Sequence, residues 1–368
     1  MCATVALVLR TAARAGRELG RLGVDTLLRG GGLPRRAADL DAAALGRLLR
    51  RDVTGVEVLG GTTGTTDRCR VGLLGDGVPD SVFVKMAALD VGTRLFGGLA
   101  RLGEVEIGFY RDLRPGLALE APRLLGASFD RRTGRFVIVL EDLDGAGFPD
   151  TLSPLTPGRA AAALGTLARL HGRTSGVPVR PGWLGTNSGD ALLPLVAATL
   201  GRLGRRVAAR HPGLVTADGE RILATYRTWA PRLDAGPHCV LHGDPHPGNL
   251  YVLEDSVGLL DWQAVRRGNG LRDVTYLLVL GMSTDDRRAH ERDLLDHYRA
   301  ELATAGGPGL TADAVWADHR RMAGYAYVAT VFTVGLGGLQ GADVADEGLR
   351  RAAGALEDLD TARALTVG

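Results

Sequence analysis

A chain of 368 residues, 45% hydrophobic and 23% charged, can bury a substantial core as one large two-lobed domain or two domains. Its net charge of +2, with basic residues scattered along the chain, argues against nucleic acid as a partner. Cys2, Cys69 and Cys239 are too few and too far apart for a disulfide framework or a zinc site, and no apolar run reaches membrane-spanning length. With MCATVALVLR broken too early by Arg10 to serve as a secretion signal, the expectation is a cytoplasmic protein without membrane contact.

In chain order, residues 1–50 carry Leu and Ala at helical spacing around Gly30, Gly31, Gly32 and Pro34. From Val53 to Leu74 short β-favouring runs alternate with glycine and lead to the strand Ser81-Val82-Phe83-Val84-Lys85. Lys85 is the only lysine; the other 43 of the 44 basic residues are arginines. Codon bias explains the arginines, but a lysine on an apolar strand needs a charged partner, because a desolvated ammonium is costly. Residues 91–113 read as helix and Phe136–Leu140 as a second apolar strand. Thr156-Pro157 supplies an N-cap and first-turn pair for a helix running to His171. Further helices are expected over 191–209, 216–230, 285–304, 312–334 and 345–364. The expected domains are therefore a helical extension (1–50), a small β-rich N-lobe (51–143) and a large, mainly helical C-lobe (144–368), with a hinge at Glu141 to Gly145.

One non-helical island interrupts the C-lobe, VLHGDPHPGNLYVLEDSVGLLDWQAVRRGNGLRD at 240–273. Leu250–Leu253 and Val257–Leu260, joined by Glu254-Asp255-Ser256, form a hairpin that brings Asp244 and Asn249 beside Asp261. Clustered oxygen ligands of this kind suit Mg²⁺. His242-Gly243-Asp244, with Asn249 five residues after the Asp, has the spacing of the kinase catalytic loop. The same stretch also reads as His-x-Asp-x-His, a possible zinc cluster of a hydrolase, although no further His or Cys motif accompanies it. Asp273 is expected to cap a helix beginning near Val274 and to brace the loop that carries Asp244, and His171, His242 and His246 are expected to be structural.

These segments resemble the aminoglycoside phosphotransferase and choline kinase-like small-molecule kinases, including their ecdysteroid kinase-like branch. The resemblance rests on VFVK at 82–85, EIGFY at 106–110, HGDPHPGN at 242–249, LLDWQ at 259–263 and LRD at 271–273. LGGTTGTTDR at 59–68 is similar to the nucleotide loop, though it lacks a full G-x-G-x-x-G, and LEDL at 140–143 to the hinge. The resemblance implies an α+β, two-lobed protein-kinase-like fold and an ATP-dependent (or GTP-dependent) phosphotransferase acting with Mg²⁺. It implies Asp244 as catalytic base, Asn249 and Asp261 as metal ligands, and Lys85 with its partner Glu106 as phosphate holders. Gly61, Thr62, Gly64, Thr65, Glu141 and Leu143 would complete the nucleotide site. Asp-Trp-Gln in place of D-F-G, and the lack of A-P-E, favour a small hydroxylated acceptor over a protein. A neutral or weakly polar hydroxylated metabolite, such as a sugar-bearing natural product or antibiotic, with a resistance or detoxification role, is the leading expectation. A nucleotide-binding regulatory pseudokinase and a kinase of a primary metabolite such as a sugar or amino alcohol are the alternatives; either a monomer or a homodimer fits. Arginines and carboxylates balance over residues 151–368, and Arg266 and Arg267 favour an acceptor with anionic or carbonyl groups. Tyr325, Tyr327 and Trp316 are candidates for an apolar wall or for the core.

Overall fold

The computed structural model describes residues 2–28, 32–176, 181–254 and 256–366, so that Gly30, Gly31 and Asp255 lie outside the described residues. The chain forms two units, residues 1–116 with 121–145, and residues 117–120 with 146–368.

The first unit is built on a five-stranded antiparallel sheet of order β1-β2-β3-β5-β4. Its strands are β1 (Gly55–Thr63), β2 (Thr66–Leu74), β3 (Ser81–Ala87), β4 (Leu124–Phe129) and β5 (Phe136–Glu141). Period-two alternation sorts the faces. Cys69, Val71, Leu73, Val82, Val84, Met86, Val137 and Val139 face one side and form the core with Leu40 and Leu45. Leu45 belongs to helix α2 (Ala42–Leu49), whose start is capped by Asp41 accepting from the Ala44 N–H at 2.7 Å. Arg68, Arg70, Phe83 and Lys85 alternate with these core residues and so point from the opposite face. Helix α1 (Cys2–Leu27) is fastened by Asp25, 4% exposed, to Arg35, Arg94 and Arg135. The expected single helix over 91–113 is instead α3 (Val91–Ala100), α4 (Leu102–Gly108) and a π-helical turn, Phe109–Leu113. Arg101, left-handed at φ 59°, ends α3 after Gly97 and Gly98, which is how a chain commonly leaves a helix.

The second unit contains α5 (Pro157–Thr174), α6 (Leu193–Arg210), α7 (Ala217–Ala224), α8 (Tyr226–Trp229), α9 (Leu271–Gly281), α10 (Thr284–Thr304), α11 (Ala312–Leu336), α12 (Ala342–Asp358) and α13 (Thr361–Ala364). Thr156 caps α5, accepting from the Arg159 N–H at 3.3 Å, with Pro157 in the first turn. Two short antiparallel pairs are set among the helices: β6 (His238–Leu241) with β9 (Arg266–Asn269), and β7 (Leu250–Leu253) with β8 (Ser256–Leu259). β6 and β9 bracket the island and fix where its loops begin and end. Among the described residues, no helix is long and apolar enough to cross a membrane.

Candidate active site

Lys85 and Glu106 meet in the first unit. The Lys85 ammonium donates to Glu106 Oε1 at 2.6 Å, and the two side chains are 3% and 1% exposed. Two charges this deep persist only as a well-made pair. The approach of α4 to the sheet depends on Gly103, where a Cβ would stand 2.2 Å from the Phe136 ring. Gly61, Thr62, Gly64 and Thr65 form the end of the β1–β2 hairpin, whose strands pair as far as Thr63 opposite Asp67. Gly61 is required by close approach, since a Cβ there would lie 2.8 Å from the Arg68 carbonyl oxygen. The Glu141 carboxylate is engaged by Arg123, through its backbone N–H at 2.8 Å and its Nε at 2.5 Å. The Glu141 N–H donates in turn to the Arg123 carbonyl at 3.0 Å, and Leu143 follows Glu141 two residues later in the chain.

In the second unit the structure joins the island's polar residues. β7 and β8 are in register from Leu250–Leu259 to Leu253–Ser256, and the Leu260 N–H donates to the Asn249 carbonyl at 2.8 Å. The closed hairpin thereby sets Asn249 beside the segment that carries Asp261. The Asn249 amide donates to the Asp244 carbonyl at 2.9 Å and approaches Asp244 Oδ2 at 3.4 Å, which turns its own carbonyl oxygen away from Asp244. Asp244 keeps 31% side-chain exposure. Asp261 is left-handed at φ 60°, ψ 68°, one of four non-glycine residues with positive φ among the described residues. Such a conformation persists where surrounding structure imposes it, and it clusters at functional sites.

The loop is braced from behind. Asp273, 1% exposed, accepts from the His242 N–H at 2.6 Å and the Gly243 N–H at 3.1 Å. Burial raises the Asp273 pKa, but its contacts with His171 and the charges of His171, His242 and Arg272 outweigh this and hold it below the usual carboxylate value. Helix α9 begins at Leu271, so Asp273 lies in its first turn rather than capping it near Val274. That position lets the carboxylate reach back to the loop N–H groups. Gly243, at φ +91°, has no room for a Cβ, which would come within 2.1 Å of the Ala264 carbonyl oxygen.

The histidines serve this scaffold. His242 Nδ1 accepts from the Asp244 N–H at 3.3 Å and its Nε2 lies 2.8 Å from the Leu260 carbonyl, a pattern met by one neutral tautomer protonated on Nε2. Its ring meets Trp262 edge-on at 4.6 Å, and burial lowers its pKa. Both nitrogens are thus committed, which leaves His242 no lone pair for zinc. His246 Nδ1 accepts from the Gly248 N–H at 3.1 Å. Among the described residues no group of three or more His, Cys, Asp or Glu side chains could hold a metal. Asn249 and the segment of Asp261 are brought together at one end of the hairpin by the Leu260–Asn249 backbone hydrogen bond. His171 lies between Tyr298, 2.9 Å from Nδ1, and Asp273, 3.4 Å from Nε2.

Two residues near Asp244, Arg272 and Tyr276, escaped the sequence as site residues, and Tyr325 joins them from its expected place as wall or core. Tyr276 of α9 is buried, and burial first and then the neighbouring Asp244 charge raise its pKa. Its ring lies 5.8 Å from that of Tyr325, and the Arg272 guanidinium sits 3.9 Å above the Tyr325 ring. Four-residue helical spacing links Arg272 to Tyr276, but nothing in a single sequence says which face of α9 meets Asp244. Tyr327 instead donates to the Leu214 carbonyl at 3.1 Å, and Trp316 lies under Arg292 at 3.3 Å; both are scaffold.

A small antiparallel-sheet unit and a large helical unit define a two-lobed, α+β kinase-like fold. Residues 94–325 match the phosphotransferase enzyme family, and the chain belongs to that family: it is a small-molecule phosphotransferase. The matched span includes Glu106, Asp244, Asn249 and Asp261 and begins after Lys85 and the β1–β2 hairpin. The fold is similar to choline kinase from Cryptosporidium parvum, with TM-score 0.55 and 10% identity over 82% of this chain and 88% of that one. It is also similar to a candidate aminoglycoside phosphotransferase from Ralstonia eutropha, with TM-score 0.50 and 16% identity over 93% and 97% of the two chains. A search of curated proteins returned no match. These likenesses fix the family and the fold without selecting a branch within it.

Proposed function

We propose that the protein transfers the γ-phosphoryl group of ATP to a hydroxyl of a small molecule, with Asp244 as the base. The observation that carries this reading is the Asp244 carboxylate: open to solvent, hydrogen-bonded by Asn249, and on a loop that Asp273 holds by two backbone N–H groups. Phosphoryl transfer asks mainly for positioning and charge, and a braced loop with one accessible carboxylate fits that demand. Bound Mg–ATP supplies the electrophilic phosphoryl group. Asp244 orients the acceptor hydroxyl and accepts its proton. Asn249 and Asp261 are the residues that would hold Mg²⁺. In the other unit, Lys85, oriented by Glu106, would contact the phosphates, with the backbone at Gly61, Thr62, Gly64 and Thr65 beside them and the backbone of Glu141 and Leu143 toward the base. GTP fits the same roles. The acceptor we infer is a hydroxylated, sugar-like metabolite, with resistance or detoxification as the physiological use.

The test is product mass after incubation with Mg–ATP or Mg–GTP and a panel of hydroxylated acceptors, run beside Asp244→Ala. A gain of one phosphate, lost in Asp244→Ala, supports the reading. Tight nucleotide binding without transfer would favour the regulatory alternative. Absence of nucleotide binding would defeat the roles given to Lys85 and Glu106.

A further inference from the structure

The acceptor's charge is written in the side chains around Asp244. Arg266 of β9, Arg272 and Tyr276 of α9, and Tyr325 of α11 come together from three elements: the two tyrosine rings lie 5.8 Å apart, Arg272 stacks 3.9 Å from Tyr325, and Arg266 pairs across the strands with Leu241, three residues before Asp244. Arg272 Nη2 donates to the Tyr325 hydroxyl at 2.6 Å and to the Gly243 carbonyl at 3.4 Å, so one guanidinium ties the catalytic loop to the tyrosine wall. Arg266 lies within electrostatic range of Tyr226, Tyr325 and Asp190. Tyr226 and Tyr276 are buried, at 5% and 9% exposure, so the half-buried Tyr325 is the tyrosine that offers a polyol a ring face.

The hydrogen-bonding capacity left over in this cluster is donor capacity. Asp234 is taken by the backbone N–H groups of Asn187 at 3.1 Å and Ser188 at 2.7 Å. Asp190 accepts from the Leu192 N–H at 2.9 Å and meets Arg266 only at 3.5 Å. Arg272, by contrast, is 1% exposed and keeps Nε and Nη1 without a partner. An incompletely paired buried guanidinium is costly, and it leaves a positive field beside Asp244. Arg266 is 23% exposed and lightly held, by the Ala264 carbonyl at 3.3 Å and by Asp190. It is free to turn toward a bound anion, and guanidinium geometry matches carboxylate or phosphate oxygens. Besides Asp244, which must remain available for the hydroxyl proton, the cluster's exposed carboxylate is Asp190, 28% open and already shared between the Leu192 N–H and Arg266.

We propose that the acceptor is an anionic polyol, a hydroxylated molecule bearing a carboxylate or phosphate, and that Arg266 is the residue that selects it. Arg272 is shielded and acts through its charge and through the placement of Tyr325. The inference rests on the phosphotransferase reading for the role of Asp244.

Gluconate, glucose and glucosamine are polyols of similar size that differ in charge, and they serve as probes. Binding of each is measured by calorimetry and thermal shift, with Mg²⁺ and a non-hydrolysable ATP analogue present. Gluconate should bind at least about tenfold tighter than glucosamine. The preference should fall about tenfold in Arg266→Gln and survive in Arg266→Lys, which keeps the charge. Equal or tighter binding of glucosamine overturns the proposal, as does a preference unchanged in Arg266→Gln or no binding of any probe at tens of millimolar. The nucleotide analogue is titrated alone in the same series. If it fails to bind, the phosphotransferase reading fails by itself, independently of the probe order.

Discussion

The two units carry their functional charges in opposite ways. In the first, Lys85 and Glu106 are sealed together, 3% and 1% exposed. In the second, Asp244 stands 31% open, and the groups that orient it are a neutral imidazole, an amide and a carboxylate that grips backbone N–H groups. In the proposed roles, an ammonium that holds phosphate gains from arriving pre-oriented by its partner, whereas a base must leave room for the hydroxyl it serves. The sealed pair should therefore fail through stability, and the open carboxylate by losing its chemistry with little change in fold.

The largest effect should come from separating these failures kinetically. Asp244→Asn is nearly isosteric and should lower kcat by about 10²- to 10⁴-fold, the usual worth of a general base, with nucleotide affinity close to wild type. Lys85→Met should weaken Mg–ATP binding itself. Steady-state kinetics paired with calorimetry reads both, and equal losses of affinity in the two variants would erase the distinction between the units.

Stability should fall next. Glu106→Gln removes the carboxylate charge from a buried ion pair, and loss of one partner of such a pair costs about 3–5 kcal/mol. Asp25→Asn should cost a similar amount, because it strands Arg94 and Arg135, whose side chains are each 7% exposed. Thermal denaturation, with hydrogen exchange to locate the loss, should place both effects in the first unit. A change under about 1 kcal/mol in either variant would mean that the ions are solvated and not sealed.

Much of this design was legible because it is local. The hairpin that gathers Asn249 and Asp261 follows from two β-runs and a turn, and the single lysine among arginines marked its strand. The lobes followed from the change of periodicity at Thr156. What stayed hidden depends on partners distant in sequence. Bracing by Asp273 was expected, but its targets, the N–H groups of His242 and Gly243, were not, and the wall of Tyr276 and Tyr325 joins two helices through residues 49 apart in sequence. β4 carries the glycine of Leu124-Leu125-Gly126-Ala127 and is absent from the expected elements, which pass from 91–113 to Phe136–Leu140. Its glycine is needed because a Cβ would come 2.4 Å from the Leu48 carbonyl oxygen, a reason visible only after folding.

Two glycines sharpen the comparison at smaller scale. Gly243→Ala forces a side chain into a left-handed backbone and against the Ala264 carbonyl. The conformation alone costs about 1–3 kcal/mol. Gly60→Ala, at a position with nothing within 4 Å of the added Cβ, should change stability by less than about 0.5 kcal/mol. Urea denaturation of the pair measures the difference, and equal effects would mean that the catalytic loop yields as readily as the hairpin.

The mildest break is acid, and it should find one unit first. All 8 histidines fall at or after residue 171, in the second unit. Burial lowers the pKa of His242 and of His319 from 6.5, so the folded state binds fewer protons there than the unfolded state does. Unfolding free energy then falls with falling pH: the contribution is complete well above 6.5 and is lost as the solution is acidified through that value. The first unit has no histidine to titrate. Asp25 is raised by burial but brought below 3.8 by Arg135 and Arg94, so its contribution persists until the pH falls below that value. At about pH 5.5, hydrogen exchange should quicken in the catalytic loop and in α9 and α11 while β2, β3 and β5 keep their protection. His319→Gln should reduce that response, because the imidazole between Thr275 and Glu291 is then no longer there to be protonated. Equal loosening of both units at that pH would show that the acid response lies outside the buried histidines.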